Sequence, residues 1–220
     1  MNLLLAGATG LVGREFTRQW HGPGTLHLLV RRPMPAPGPL QRVWVVDFAN
    51  LPAPPALPAA DAAVCTLGTT IAVAGSQAAF RAVDFDAVLN FARAARAAGA
   101  RRLAVVSSLG ADRHSGNFYS RTKGEMEFAV AALGFESVVI ARPSLLTGDR
   151  ASLGQPLRVS EKLVRWLVAP LSPLLPSAWK PIAASTVARA LLLAVQQAEP
   201  GVRILGSAQL QWLGMAGAFR

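Results

Sequence analysis

The chain has little cysteine, tyrosine, lysine or charge of either sign. Its one cysteine, Cys65, excludes an intrachain disulfide framework, and no Cys/His group stands at metal-ligand spacing, so no metal site is expected. Only 15% of the 220 residues are charged while 52% are hydrophobic, which leaves little room for a long disordered tail. One folded unit over 1–220 is expected. The apolar residues after Met1 have no basic segment before them and break at Gly7, which argues against a secretory signal. The most apolar late stretch, LVRWLVAPLSPLLP at 163–176, carries Arg165 and three prolines and is too short to cross a bilayer. A cytoplasmic protein without a membrane partner is the expectation.

Acidic residues are also scarce, 12 against 22 basic, for a net charge of +10. The arginines are scattered, and no aromatics interleave with them as a single-strand stacking surface requires, so nucleic acid is not the expected partner. A basic surface serving an anionic cofactor fits better.

Short apolar runs alternate with helical patterns. Strands are expected at 2–6, 26–30, 43–46, 62–67, 103–107 and 138–141, and helices at 11–20, 76–98 and 120–133. Proline-rich passages at 33–39 and 51–61 forbid regular structure. In 76–98, Phe80, Val83, Ala87, Phe91 and Ala95 recur at spacings of three and four, with Gly99 as the stop. Strands apolar on both faces between helices predict an α/β fold, a Rossmann-type doubly wound parallel sheet. The last third differs: helices at 159–168 and 185–196 and a late strand at 202–205 suggest that 150–220 forms a small, mostly helical appendage on the substrate side.

The first strand runs into GATGLVG, with Gly7, Gly10 and Gly13 at three-residue intervals. A strand, a glycine turn and a helix opening inside that turn make a phosphate-binding corner, where backbone N–H groups and the helix N-terminus meet a diphosphate. The spacing is GxxGxxG instead of GxGxxG. An NAD site usually places an acidic residue about twenty positions further on. Here Arg31 and Arg32 stand at about that distance, and guanidinium groups there attract a 2′-phosphate, favouring NADP(H) over NAD(H).

NFYSRTKGE contains the only tyrosine, Tyr119, and four residues later Lys123, one face of a helix. Hydride chemistry at a carbonyl needs a proton donor beside the developing alkoxide, and a phenol can serve. A lysine ammonium at about 4 Å contributes up to about 4 kcal/mol at an effective dielectric of 20, favouring the phenolate. Ser107 and Ser108 end the fifth strand, where strand ends converge on a ligand. Either hydroxyl could orient the substrate oxygen, with Ser108 preferred. His114 is expected as an exposed loop residue instead of a second acid/base, and Cys65 as a buried hydrophobe. Trp166, Trp179 and Trp212 are assigned to packing or a pocket wall.

GATGLVG, CTLGTT at 65–70, AVDFDAV, SSLGAD, YSRTKGEME and ARPSLLTGDR together resemble the atypical short-chain dehydrogenases/reductases, in particular the Tat-interacting-protein-like oxidoreductase branch, with NmrA-like relatives. The resemblance implies that Thr9, Gly10, Leu11 and Val12 bind the pyrophosphate and that Arg31 and Arg32 face the 2′-phosphate. Asp47 and Phe48 would flank adenine, and Leu67, Gly68 and Thr69 would line the cofactor. Arg142 and Pro143 would lie near the nicotinamide, Ser108, Tyr119 and Lys123 would be the catalytic trio, and Lys123 would also hold the nicotinamide ribose. The departure is the short region after Asp149, which offers little material for a substrate pocket. The implied activity is NADP(H)-dependent oxidoreduction of a small carbonyl or alcohol. A non-catalytic NADP(H) sensor and an epimerase or dehydratase with transient hydride transfer are the alternatives, and a homo-oligomer is compatible with each.

Overall fold

The computed structural model describes residues 1–51, 57–148 and 179–216. In chain order its elements begin with β1 (Leu3–Ala6), α1 (Leu11–Arg18), β2 (Leu26–Val30), β3 (Gln41–Val45) and β4 (Ala62–Cys65). There follow α2 (Ile71–Ala74), α3 (Gln77–Arg81), a π-helical segment (Ala82–Ala87), α4 (Val88–Ala97), β5 (Arg102–Val106), α5 (Phe118–Ala131) and β6 (Ser137–Arg142). The last are β7 (Leu146–Thr147), β8 (Ile182–Ala183), α6 (Ala184–Gln197), β9 (Gly201–Gly206) and α7 (Ser207–Ala216).

Seven strands pair in the order β3-β2-β1-β4-β5-β6-β9, all parallel, and β7 and β8 form a separate parallel pair. The expected doubly wound sheet is therefore present. The chain leaves β1 toward β2 on one side and returns to β4 on the other, so the carboxyl ends of β1 and β4 flank the switch point where such sheets bind ligands. Strands buried on both faces need apolar residues at every position, and β1, β2 and β4 have every residue buried. Leu3, Leu5, Leu26, Leu28 and Val64 face the layer of α1 and α6. Leu4, Leu29, Cys65, Val105 and Ile140 face α4 and α5.

The helix expected over 76–98 is present as a continuous helical run over 77–97, preceded by a short helix, but its middle, Ala82–Ala87, is wound with about one extra residue per turn, which changes the face it buries. The period read from the sequence turns Val83 and Ala87 inward; both are only half-buried, and Asp84 and Val88 are the buried residues. Helix α7 was not expected at all; it lies against α6, where a Cβ on Gly214 would come within 2.4 Å of the Thr186 carbonyl oxygen. Residues 182–216 supply α6, α7 and the sheet's last strand, so this part of the chain is built into the main layers. The helix expected at 159–168 lies outside the described residues. No helix among the described residues is long and apolar enough to cross a membrane.

Candidate functional site

The glycine turn is tight for reasons internal to the protein at two of its three glycines. Gly7 has φ +86°, and a Cβ there would lie 2.6 Å from Thr66. At Gly13 a Cβ would lie 2.1 Å from the Gly7 carbonyl oxygen, so the first turn of α1 rests directly on the end of β1. Thr66 closes the arrangement, its hydroxyl donating to the carbonyls of Ala6 and Gly7 at 2.9 and 3.1 Å. Gly10 is different. A Cβ there would meet only the Gly7 carbonyl oxygen, at 3.4 Å, so protein packing alone does not demand glycine. Gly10 is the N-cap of α1, no side chain caps this end, and no acidic residue occupies the first turn. Backbone N–H groups with a favourable dipole and no internal counter-charge suit an anion that approaches the backbone closely.

The loop after β4 meets two buried charges. Asp84 accepts a hydrogen bond from the Thr69 backbone N–H at 2.8 Å through Oδ2, and its Oδ1 lies 2.7 Å from Lys123 Nζ in an ion pair. The two side chains are 0% and 4% exposed. A Cβ on Gly68 would sit 3.4 Å from Asp84 Oδ1 and 3.8 Å from Lys123 Nζ, so the backbone at Gly68 lies against the pair. Burial, the largest single influence, acts to lower the Lys123 ammonium, but Asp84 together with Tyr119 and Cys65 outweighs it, and the group stands above the ordinary lysine value. Asp84 was not singled out from the sequence; the π-helical segment that turns it inward was the missing signal.

Helix α5 carries the tyrosine. Asn117 caps it, accepting from the Ser120 N–H at 3.1 Å. The Tyr119 ring packs on Phe80, with centroids 5.2 Å apart and planes tilted by 34°. The segment after β5 is strapped onto α5: the Asp112 N–H donates to the Ser120 carbonyl at 3.0 Å, and a Cβ on Gly124 would come within 2.1 Å of the Arg113 nitrogen. The glycine immediately after Lys123 thus permits the close approach. At the root of the strap the Ser107 N–H donates to the Ala141 carbonyl at 2.7 Å and the Leu109 N–H to the Pro143 carbonyl at 2.9 Å. The Ser107 and Ser108 hydroxyl oxygens are buried and have no hydrogen-bonding partner among the described residues.

The remaining expected residues are placed as follows. Thr9 is exposed, Leu11 half-buried and Val12 buried, and Leu67 is half-buried beside Gly68. Arg31 and Arg32 are exposed just beyond β2, the neighbour of β1 in the sheet. Asp47 ties its own turn, accepting from the Asn50 side chain at 3.0 Å and the Ala49 N–H at 2.9 Å; these two bonds, in that order, hold its carboxyl below the usual range. Phe48 is buried in the core with Leu4 and Phe91, and its carbonyl accepts from Asn90. Arg142 is engaged by Glu127 in a bidentate pair, at 2.9 Å to Oε1 and 2.5 Å to Oε2. Its guanidinium lines a cavity with Arg113, His114 and Phe128.

His114 is exposed and accepts from Arg113 Nε at 2.8 Å, as a loop residue would. Cys65 is buried, and desolvation pushes its thiol up to about 12, which makes it inert. Of the two roles expected for the tryptophans, packing or a pocket wall, packing is corrected for two of them: Trp179 is 63% exposed, and Trp212 is 72% exposed on the face of α7 turned away from Leu210 and Gly214. Trp166 lies outside the described residues. Among the described residues no group of His, Cys, Asp and Glu could hold a metal ion.

The donor set fits a pyridine dinucleotide. An uncapped helix start over an open Gly10 suits the diphosphate, and the unpaired Ser107 and Ser108 hydroxyls suit the polar atoms of a nicotinamide and its reaction partner.

Residues 7–163 match a family model described as NAD(P)H-binding. The mitochondrial protein FMP52 of Coccidioides immitis is 37% identical over 162 residues, covering 66% of each chain. The protein of the same name in Aspergillus fumigatus is 31% identical over 97% of this chain and 94% of its own length. Protein HTATIP2 of Rattus norvegicus is 38% identical over 67% of this chain, which spans 59% of the rat protein. The resemblance read from the motifs is upheld by these matches. Among solved structures, MoeE5 in complex with UDP-glucuronic acid and NAD has a TM-score of 0.72 at 19% identity, over 93% of this chain and 75% of that one, a likeness of fold. The expectation of a cytoplasmic location is overturned, since the fungal relatives are designated mitochondrial. Scarce cysteine and the lack of a bilayer-length helix among the described residues hold equally inside an organelle, so neither carries an address.

Proposed function

Because this chain belongs to the NAD(P)H-binding family, we propose that it is an NADP(H)-dependent oxidoreductase of the short-chain dehydrogenase/reductase type, acting on a small carbonyl or alcohol. The observation that carries this reading is the convergence of the Gly68–Thr69 backbone with the buried Asp84–Lys123 pair, one helical turn beyond Tyr119. A structural ion pair needs no tyrosine four residues before it and no unpaired serine hydroxyls on the adjoining strand end.

In this reading the Gly10–Gly13 backbone holds the diphosphate, and Arg31 and Arg32 hold the 2′-phosphate. Neither arginine makes a hydrogen bond or ion pair with the described residues, which supports NADP(H) over NAD(H). The bound nicotinamide supplies or takes up the hydride. Tyr119 delivers a proton to the carbonyl oxygen, or removes one from the alcohol in the reverse direction. Ser108 donates a hydrogen bond to the same oxygen and orients it. Lys123, kept charged by Asp84, stabilises negative charge near the phenol and holds the ribose hydroxyls.

The test is single-turnover oxidation of bound NADPH with a panel of aldehydes, ketones and quinones. Tyr119→Phe is expected to slow substrate-dependent oxidation by about a hundredfold or more while NADPH binding is retained. If the wild type binds NADPH but no member of the panel is reduced, or if Tyr119→Phe reacts like the wild type, the chain is a cofactor-binding regulator instead.

A further inference from the structure

We propose that Asp84 is a positioning residue for the proton transfer assigned above to Tyr119: it takes up the charge of Lys123, so that the phenol stands beside a pair of no net charge and is set to donate a proton instead of accepting one. The inference rests on that assignment for its purpose and on the Asp84–Lys123 geometry for its substance.

Tyrosine and lysine alone, as the sequence presents them, imply a lone ammonium one helical turn from the phenol, whose field favours the phenolate. The fold adds a second charge. Asp84 Oδ1 lies 2.7 Å from Lys123 Nζ and neither side chain is more than 4% exposed, so solvent and salt do little to screen the two from each other. The other carboxylate oxygen, Oδ2, accepts from the Thr69 N–H at 2.8 Å, which fixes the carboxylate and with it the ammonium. Opposite charges this close act on a group one turn away as a dipole, whose field falls off faster with distance than that of a single charge.

The neighbouring groups do not restore the lost charge. Those that bear on Lys123 are Asp84 from the π-helical segment, Tyr119 from α5 and Cys65 from β4, and burial pushes the Cys65 thiol up to about 12, which keeps it neutral. On α3, whose Phe80 packs on the Tyr119 ring, the charged residue is Arg81, and it is paired with Glu125. A phenol ordinarily titrates near 10, so one beside a neutral pair suits proton delivery to an oxygen that becomes strongly basic as its carbon receives hydride. In that step the Tyr119 O–H bond breaks, the proton passes to the substrate oxygen, and solvent reprotonates the phenolate.

The test exploits Tyr119 being the only tyrosine. In the nucleotide-free full chain labelled with 13Cζ-tyrosine, NMR follows its ionisation as one resonance. Lys123→Met leaves the Asp84 carboxylate alone and should move the midpoint up by about one pH unit or more. Adding Asp84→Asn, which keeps an acceptor for the Thr69 N–H, should bring the midpoint back to within about one unit of wild type. Replacing both members of a buried pair by neutral groups is tolerated better than removing one. Asp84→Asn/Lys123→Gln, which retains a hydrogen bond between the two side chains, decides the matter if the methionine variants do not fold. A neutral pair that titrates more than about one unit above wild type shows Lys123 acting on the phenol with its full charge and overturns the proposal. So does a double variant indistinguishable from Lys123→Met. No nucleotide or substrate is present in this titration, so its outcome stands whether or not the panel above is reduced, and failure of the oxidoreductase reading is told apart from failure here.

Discussion

Asp84 and Lys123 illustrate what a single buried residue decides. A lone ammonium beside Tyr119 would exert its full field on the phenol; paired with a carboxylate, it exerts the weaker field of a dipole. The pair also joins the loop after β4 to α5 through Thr69. Asp84→Asn preserves an acceptor for the Thr69 N–H but strands the Lys123 charge in the interior. Removing one partner of a buried pair costs about 3–5 kcal/mol, here a fall in Tm of about 10 °C. The sign of the pH dependence follows from the lysine. In the wild type its raised value adds stability below the unfolded value near 10.4, which is lost as pH rises through the folded one. In the variant, burial, the largest influence on Lys123, is opposed only by Tyr119 and Cys65 and favours the neutral amine, so the deficit should narrow between pH 8 and 10. Thermal unfolding across that range checks both points, and a midpoint within 2 °C of wild type at pH 8 would show that the pair contributes little. Lys123 was legible in the sequence because i and i+4 share a face; Asp84 was not, because helical periodicity places its neighbours Val83 and Ala87 inward.

At the scale of elements, the sheet was read best where strands are apolar on both faces. β3 was read less well. It begins at Gln41, two residues before its expected start, because backbone pairing of Leu26 with Gln41 extends the edge strand through polar residues that hydrophobicity does not mark. That edge holds a titratable contact between strands: the Trp44 indole donates to His27 Nδ1 at 3.0 Å, and His27 is buried. Burial first, and Arg42 second, lower the His27 value, so the imidazole is held neutral in the fold. The unfolded chain therefore binds more protons as pH falls through about 6.5, and the contribution of this contact, present above that pH, is lost as pH drops through the folded value. His27→Asn keeps a side chain able to accept from Trp44 and cannot titrate. Its Tm relative to wild type should improve between pH 7.5 and pH 5, as scanning calorimetry would record; a constant difference would remove His27 from the acid response. The wider winding at Ala82–Ala87 and helix α7 were illegible for different reasons, the first because an added residue per turn leaves no mark on composition, the second because only Ser207, Leu210 and Gly214 of α7 are buried.

Across the whole molecule, fold and glycine corner were legible together because one arrangement creates both: parallel strands require buried apolar runs, and reversal of strand order at β1 places the glycine turn over the ends of β1 and β4. The substrate was not legible, since the motifs report cofactor chemistry, whereas substrate pockets are shaped by loops, which carry no periodic signal. Compartment was not legible either, as composition constrains folding more than address. Titration calorimetry with NADP+ and NAD+ on wild type and on Arg31→Ala/Arg32→Ala tests the central claim most directly. One NADP+ should bind per chain, about tenfold or more tighter than NAD+, and the double variant should lose that preference while keeping NAD+ affinity. Heat of binding for neither nucleotide would contradict the account.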